Sequence, residues 1–159
     1  PLPGELALDY VQRLAADKAI AGLRLLQQRG LEGAVLGADT TGLLDGRILA
    51  KPADRDDAIR MLLEMSGRTH EVRTAVALAM EGSLTTATSV SQVSLRALTK
   101  DEIKRYCATS EPYDKAGGYA IQGLASIFIE RLEGSYSGVM GLPLFETAQL
   151  LSNAGLKVL

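Results

Sequence analysis

The sequence is poor in several residue types that carry chemistry in proteins. Among its 159 residues there is one cysteine, Cys107, one histidine, His70, and no tryptophan. A single cysteine cannot form an intramolecular disulfide, which fits a reducing compartment, and we expect Cys107 to be a small helix residue that faces the core. Because His70 has no second histidine and no cysteine nearby, we expect it to lie at the surface or at a strand edge rather than to bind a metal.

Charge and hydropathy exclude further classes of protein. The formal net charge is −2, so there is no overall electrostatic reason to expect a nucleic acid or an anionic membrane as partner. No apolar run approaches membrane-spanning length and no signal peptide is visible, so the cytoplasm is the expected location. An apolar fraction of 47% and a charged fraction of 23% predict a globular domain with a real core.

Common catalytic motifs are also missing. The sequence has no Walker A loop and no GxGxxG fingerprint, and it lacks GxSxG and HExxH. Acyl transfer and zinc-dependent hydrolysis are therefore poor candidates.

Hydrophobic periodicity and turn residues predict an irregular alternation of helices and hairpins. The predicted helices cover residues 5–28, 54–66, 99 to about 109, and 143–153. The predicted hairpins pair the two arms of residues 34–52, residues 69–80 with 84–98, and residues 126–133 with 136–140. This pattern predicts an α/β fold with a mixed sheet of hairpins flanked by helices.

The segment 34–52 carries polar side chains at the ends of its predicted strands. A short apolar run ends at Asp39 and Thr40, and the return strand ends at Lys51. Strand ends are where open α/β sheets usually build their sites. Lys18 follows Val11 by seven residues and so lies on or beside the apolar seam of the first helix. Either its stem packs while its ammonium reaches solvent, or the lysine is directed at a cleft.

A glycine-rich segment, residues 111–123, holds Lys115 and Gln122. Its glycines allow a close approach to a ligand, although the pattern equally fits a mobile surface loop. A carboxylate, scattered lysines and a glycine-rich loop suit a phosphate-bearing ligand with a divalent metal. The residues alone lead no further than a candidate phosphoryl-group hydrolase.

Short motifs in a fixed order resemble the Maf family of nucleoside triphosphate pyrophosphatases over nearly the whole chain. The motifs are Gly37-Ala38-Asp39-Thr40, Lys51-Pro52, Leu63-Glu64-Met65-Ser66-Gly67 followed by His70, Glu111-Pro112, Asp114-Lys115-Ala116-Gly117-Gly118-Tyr119, Ile121-Gln122-Gly123 and Gly141-Leu142-Pro143. The resemblance implies one Maf-like domain over residues 1–159, with a Maf/ITPase-like fold and a central cleft between two lobes.

The resemblance also implies an activity. The protein that it implies is a cytoplasmic enzyme that splits a nucleoside triphosphate into the monophosphate and pyrophosphate with Mg²⁺ or Mn²⁺. The resemblance assigns Asp39 as the general base, and Asp39 is also the residue that we expect to bind the metal. The resemblance places Lys18, Lys51 and Lys115 near the triphosphate, where they would offset growing negative charge.

Thr40 and Gln122 match positions that the family associates with selection of the nucleobase. Gln122 resembles the branch that hydrolyses dTTP and UTP, since a carboxamide offers a donor and an acceptor to O4 and N3–H of thymine or uracil. Because the amide can flip, Gln122 alone does not exclude CTP. A homodimer is expected for the family, with no nucleic acid polymer and no membrane as partner.

Two departures from the family pattern are visible. The family opens with a strand and a Ser-x-Ser-Pro-Arg-Arg segment at the start of its first helix, which this chain lacks. A molecule without that segment is expected to be a weak catalyst with an exposed sheet edge. At Thr41-Gly42 the family usually has β-branched apolar residues, so Gly42 is expected to weaken its strand.

Two alternative functions also fit the sequence. One is a nucleotide-binding regulator of cell division with little turnover, because the family is named for a septum-formation phenotype. The other is a plain globular domain whose lysines are solvated.

Overall fold

The computed structural model describes all 159 residues as an α/β protein with a five-stranded open sheet. The helices are α1 (Ala7–Gln28), α2 (Arg55–Met65), α3 (Lys100–Tyr106), α4 (Tyr136–Met140) and α5 (Leu144–Asn153). The strands are β1 (Val35–Leu44), β2 (Arg47–Leu49), β3 (Thr69–Met80), β4 (Ser83–Leu95) and β5 (Ile129–Glu133). The strand order is β2-β1-β3-β4-β5. The expected α/β class with hairpins and helices is confirmed, and the sheet is antiparallel rather than mixed.

The chain divides into two compact units. The first unit comprises Pro1–Thr40, Arg73–Ser89 and Ser137–Leu159, and the second comprises Thr41–Val72 and Val90–Tyr136. Strands β1, β3 and β4 each contribute residues to both units.

Small residues form the contact between α1 and the sheet in the first unit. The buried cluster on the side of the sheet that α1 covers consists of Val11, Ala15, Ala19, Ala75, Ala77 and Ala79. A Cβ built on Gly37 would lie 2.5 Å from the backbone nitrogen of Ala19 and closer than 3.0 Å to the carbonyl oxygen of Ala15. The backbones of β1 and α1 are therefore in direct contact at Gly37. Gly22 serves the same packing, since a Cβ there would lie 2.7 Å from Cγ1 of Val35.

Larger side chains cover the opposite face of the same unit. Val76 and Leu78 alternate along β3 with the alanines that face α1, and they pack with Leu150 of α5. Successive side chains of a strand point to opposite faces of the sheet. The first unit therefore has a close-packed α1 face and a bulkier α5 face.

Local sequence signals produce the predicted helix starts and turns. The carboxylate of Asp54 accepts the backbone N–H of Asp57 at 2.8 Å and caps α2, while Thr99 and Glu102 form the capping box of α3. Asp45 and Gly46 both have positive φ, 52° and 76°, in the tight turn between β1 and β2. β1 runs unbroken through Gly42, which pairs with Leu49.

The last predicted hairpin is wrong. Residues 129–133 form β5, but their partner is β4, with Gln92 opposite Glu133, and Tyr136–Met140 is helix α4. Gly134 packs tightly on Ser91, whose hydroxyl accepts the N–H of Ser135 at 2.9 Å. The chain leaves the sheet at this point, and a five-residue segment cannot be assigned to strand or helix from its pattern alone.

The expectation for His70 is also wrong. Its side chain is buried, with 2% exposed, and its Nε2 lies 2.7 Å from the hydroxyl of Tyr119 in the glycine-rich segment. The two rings meet edge to face at 5.4 Å. His70 thus ties the start of β3 to that segment, and a contact across 49 residues leaves no signal in the local pattern.

Two further observations complete the fold. Cys107 is buried as expected, and burial raises the pKa of its thiol. None of the helices is both long and apolar enough to cross a membrane.

The contact at Gly37 predicts an asymmetry between two glycines of one strand. We expect Gly37→Ala to lower the free energy of unfolding by about 2–3 kcal/mol, because the new methyl meets backbone atoms that cannot rotate away. Gly42→Ala is the matched control, since its methyl meets only the side chain of Leu49, whose nearest atom, Cδ1 at 3.1 Å, can move. Urea unfolding of both variants measures the difference, and equal losses would contradict the close packing.

Burial of His70 predicts a pH dependence of stability. Burial lowers the pKa of His70 to about 4 from its ordinary 6.5, so between these values the unfolded chain binds a proton that the folded protein does not. The free energy of unfolding should fall as the pH drops from about 6.5 to 4, by about 3 kcal/mol in total. Urea unfolding across this range measures the slope.

The control for this prediction is His70→Gln, which retains a hydrogen-bonding group and does not titrate. Its stability should change much less between pH 7 and 5, because His70 is the one histidine of the chain. Parallel curves for the two proteins would contradict the assignment.

Candidate active site

An ion pair joins α1 to β1 in the first unit. Nζ of Lys18 donates to Oδ1 of Asp39 at 2.5 Å and to the carbonyl oxygen of Ala38 at 3.0 Å. The side chain of Asp39 is 15% exposed and that of Lys18 is 55% exposed. Such a partly exposed pair contributes at most about 1 kcal/mol to stability, so its main effect is to orient the carboxylate.

The position of this pair follows from the contact at Gly37. Gly37 and Asp39 are two residues apart in β1 and share the face that α1 covers, while Lys18 directly precedes Ala19, whose backbone contacts Gly37. A glycine in the strand and alanines in the helix bring the two backbones together. The side chains of Lys18 and Asp39 therefore meet.

Thr40 lies on the other face of β1. Its hydroxyl is 2.9 Å from that of Thr74 in β3, and the hydroxyl of Thr74 donates to the carbonyl oxygen of Gly138 in α4 at 2.7 Å. Thr74 is buried, with 1% exposed. The structure brings Lys18 and Asp39 together, and it connects Thr40 to a separate hydrogen-bonded chain.

In the second unit, the glycine-rich segment packs on the residues around Lys51. The N–H of Gly117 donates to the carbonyl oxygen of Ala50 at 3.0 Å, and a Cβ on Gly118 would lie 3.1 Å from Cγ of Pro52. Both glycines have positive φ, 77° and 72°. The backbone on either side of Lys51 is thus held by a turn that favours glycine.

Lys115 pairs with a carboxylate that the charge of Lys51 also influences. Nζ of Lys115 donates to Oδ1 of Asp114 at 2.9 Å. That hydrogen bond lowers the pKa of Asp114, and the charge of Lys51 contributes to the same shift as a smaller cause. The second unit therefore gathers two ammonium groups near the glycine-rich segment.

Glu111 organises the backbone next to Gln122. Its carboxylate accepts the N–H groups of Leu124 and Ala125 at 2.7 and 3.1 Å, and the hydroxyl of Tyr106 at 2.9 Å. Burial alone would raise the pKa of Glu111, but these hydrogen bonds outweigh it and lower the pKa. Gln122 itself is exposed.

This role of Glu111 was not predicted from the sequence, where the residue is visible only as part of the Glu111-Pro112 motif. A Cβ on Gly123 would lie closer than 3.0 Å to the Glu111 carboxylate, so the glycine makes room for it. The spacing of 13 residues between Glu111 and the Leu124 N–H follows no helical or strand period. The family motif was the one signal that singled it out.

Comparison with known proteins identifies the family. The family described as Maf-like protein matches residues 3–154. A dTTP/UTP pyrophosphatase of Bordetella avium (strain 197N) is 58% identical over 97% of this chain and 77% of its own length. A dTTP/UTP pyrophosphatase of Aromatoleum aromaticum (strain DSM 19018 / LMG 30748 / EbN1) is 57% identical over 98% of this chain and 76% of its own length. With this agreement along nearly its whole length, the chain belongs to the Maf family.

Proposed function

We propose that this protein hydrolyses dTTP and UTP to the nucleoside monophosphate and pyrophosphate. The observation that carries the proposal is the Asp39 carboxylate, oriented by Lys18 at 2.5 Å, in a chain of the Maf family. The similar proteins named dTTP/UTP pyrophosphatase support the same substrates.

Asp39 is proposed as the general base. Lys18 occupies Oδ1 of its carboxylate, so Oδ2 is the oxygen that takes a proton from the water attacking the α-phosphorus. The ammonium also keeps the carboxylate from turning away. Water activation by a fixed carboxylate is the step that this geometry supports.

Lys18, Lys51 and Lys115 are proposed to offset the charge of the triphosphate. Two of them already have carboxylate partners, Lys18 with Asp39 and Lys115 with Asp114. Phosphate oxygens would compete with these carboxylates for the same donors. The lysines therefore stabilise charge that develops on the phosphates rather than act as proton carriers.

A divalent metal, Mg²⁺ or Mn²⁺, is proposed as cofactor, and the residues present fit it. The structure contains no group of three or more histidine, cysteine, aspartate or glutamate side chains that could hold a metal. Magnesium is commonly bound by one or two carboxylates together with substrate phosphates. Asp39 would offer Oδ1 as such a ligand once phosphate oxygens draw the Lys18 ammonium away, which leaves Oδ2 as the base. When bound, the ion would neutralise phosphate charge and polarise the phosphoryl oxygens.

Gln122 and Thr40 are proposed to select the nucleobase of the substrate. The exposed amide of Gln122 can present its donor and its acceptor to O4 and N3–H of thymine or uracil. The cytoplasmic location, the single Maf-like domain, the homodimer and the effect of the family's Ser-x-Ser-Pro-Arg-Arg segment stay predictions.

Asp39→Asn tests the proposed base. We expect pyrophosphate release from dTTP with Mn²⁺ to fall by about 100-fold or more, because an amide cannot take the proton from water. Asp17→Asn is the matched control, since this carboxylate on α1 is 61% exposed and pairs with Arg13. Thermal melting checks that both variants are folded.

Unchanged pyrophosphate release by Asp39→Asn would remove Asp39 as the base. Nucleotide binding without metal-dependent hydrolysis by the unmodified protein would contradict the enzymatic proposal and favour a binding regulator.

A further inference from the structure

Thr74 has no role in the proposed chemistry, yet its hydroxyl lies at the centre of a buried hydrogen-bonded chain. It is 1% exposed, and its Oγ1 lies between the hydroxyl of Thr40 and the carbonyl oxygen of Gly138. All three residues belong to the first unit. The chain joins β1, β3 and α4 on the face opposite Asp39.

The number of hydroxyl protons decides which group donates in each of these two hydrogen bonds. A hydroxyl has one proton to donate and two lone pairs that accept. The carbonyl oxygen of Gly138 can only accept, so at 2.7 Å it takes the proton of Thr74. The 2.9 Å contact between the two hydroxyls must then use the proton of Thr40. Thr40 keeps only lone pairs for any other partner.

From this geometry we infer that Thr74 is a specificity-determining positioning residue: it fixes Thr40 as a hydrogen-bond acceptor, so the substrate group that meets Thr40 must be a donor. The inference rests on the proposed function, in which Thr40 contributes to base choice. The one donor on the ring of thymine or uracil is N3–H, whereas N3 of cytosine is an acceptor. A Thr40 hydroxyl whose proton is already donated to Thr74 therefore favours thymine or uracil over cytosine.

This role complements the chemistry of Gln122. A carboxamide can exchange its donor and acceptor by a flip, so Gln122 alone accepts uracil and cytosine alike. The Thr40 hydroxyl cannot reverse in the same way, because its proton is committed to a buried partner. Discrimination between UTP and CTP is therefore assigned to the fixed hydroxyl.

The test compares hydrolysis of UTP and CTP, which share a sugar and differ only at ring positions 3 and 4. In Thr74→Val the hydroxyl of Thr40 loses its acceptor and is free to donate. We expect the ratio of kcat/KM for UTP to that for CTP to fall about fivefold, the worth of one hydrogen bond, mostly through a lower KM for CTP. Thr74→Ser keeps the hydroxyl and should restore the ratio of the unmodified protein.

A matched control separates this effect from lost stability. Thr88→Val removes another threonine hydroxyl of the first unit, one that accepts from Nε2 of Gln12 at 2.9 Å, and should leave the ratio unchanged. If Thr74→Val does not fold, Thr74→Cys takes its place, because a thiol is a weak donor and acceptor and should lower the ratio in the same direction.

The possible failures are distinguishable. One failure is that the unmodified protein hydrolyses UTP while Thr74→Val lowers kcat/KM for UTP and for CTP by the same factor. In that case Thr74 is only structural, and this inference is overturned while the proposed function stands. If the unmodified protein hydrolyses neither nucleotide, the proposed function fails and the inference fails with it.

Discussion

The arrangement of the first unit depends on the contact of two backbones at Gly37. Any side chain at this position would meet the carbonyl oxygen of Ala15 and the backbone nitrogen of Ala19, so the strand could not approach the helix. That approach lets Lys18 on α1 reach Asp39 on β1. A residue with no side chain thus sets the position of the carboxylate that we propose as the base.

The two faces of the first unit serve different purposes because β3 alternates small and large residues. Ala75, Ala77 and Ala79 admit the close approach of α1, which carries Lys18. Val76 and Leu78 pack against α5, and Thr74 on the same face connects Thr40 to α4. Consecutive residues on opposite faces of one strand supply an ion-paired carboxylate, that of Asp39, and a hydrogen-bonded hydroxyl, that of Thr40.

Local signals in the sequence predicted most elements of the fold. Asp54, the Thr99 capping box and the Asp45-Gly46 turn act within a few residues, so their pattern is visible in the chain. The burial of His70 and the helix at Tyr136–Met140 depend on distant partners, and both were predicted wrongly. The close approach of Gly22 to Val35 likewise joins two elements that are distant in their local patterns.

The candidate site could be predicted only in part from the residues themselves. Asp39 and Lys51 were visible at strand ends, but spacing alone left Lys18 undecided between solvent and a cleft. Its contact with Asp39 needs the register of α1 on β1, which Gly37 sets and no local pattern encodes. The direction of the Thr40 hydroxyl needs Gly138, nearly 100 residues along the chain.

Water attack at the α-phosphorus beside Asp39 is tested most directly by hydrolysing dTTP in ¹⁸O-labelled water and measuring the mass of each product. The proposed chemistry predicts one ¹⁸O atom in dTMP and none in pyrophosphate, because the bond from water forms at the α-phosphorus. Label in pyrophosphate, or release of labelled orthophosphate, would contradict it.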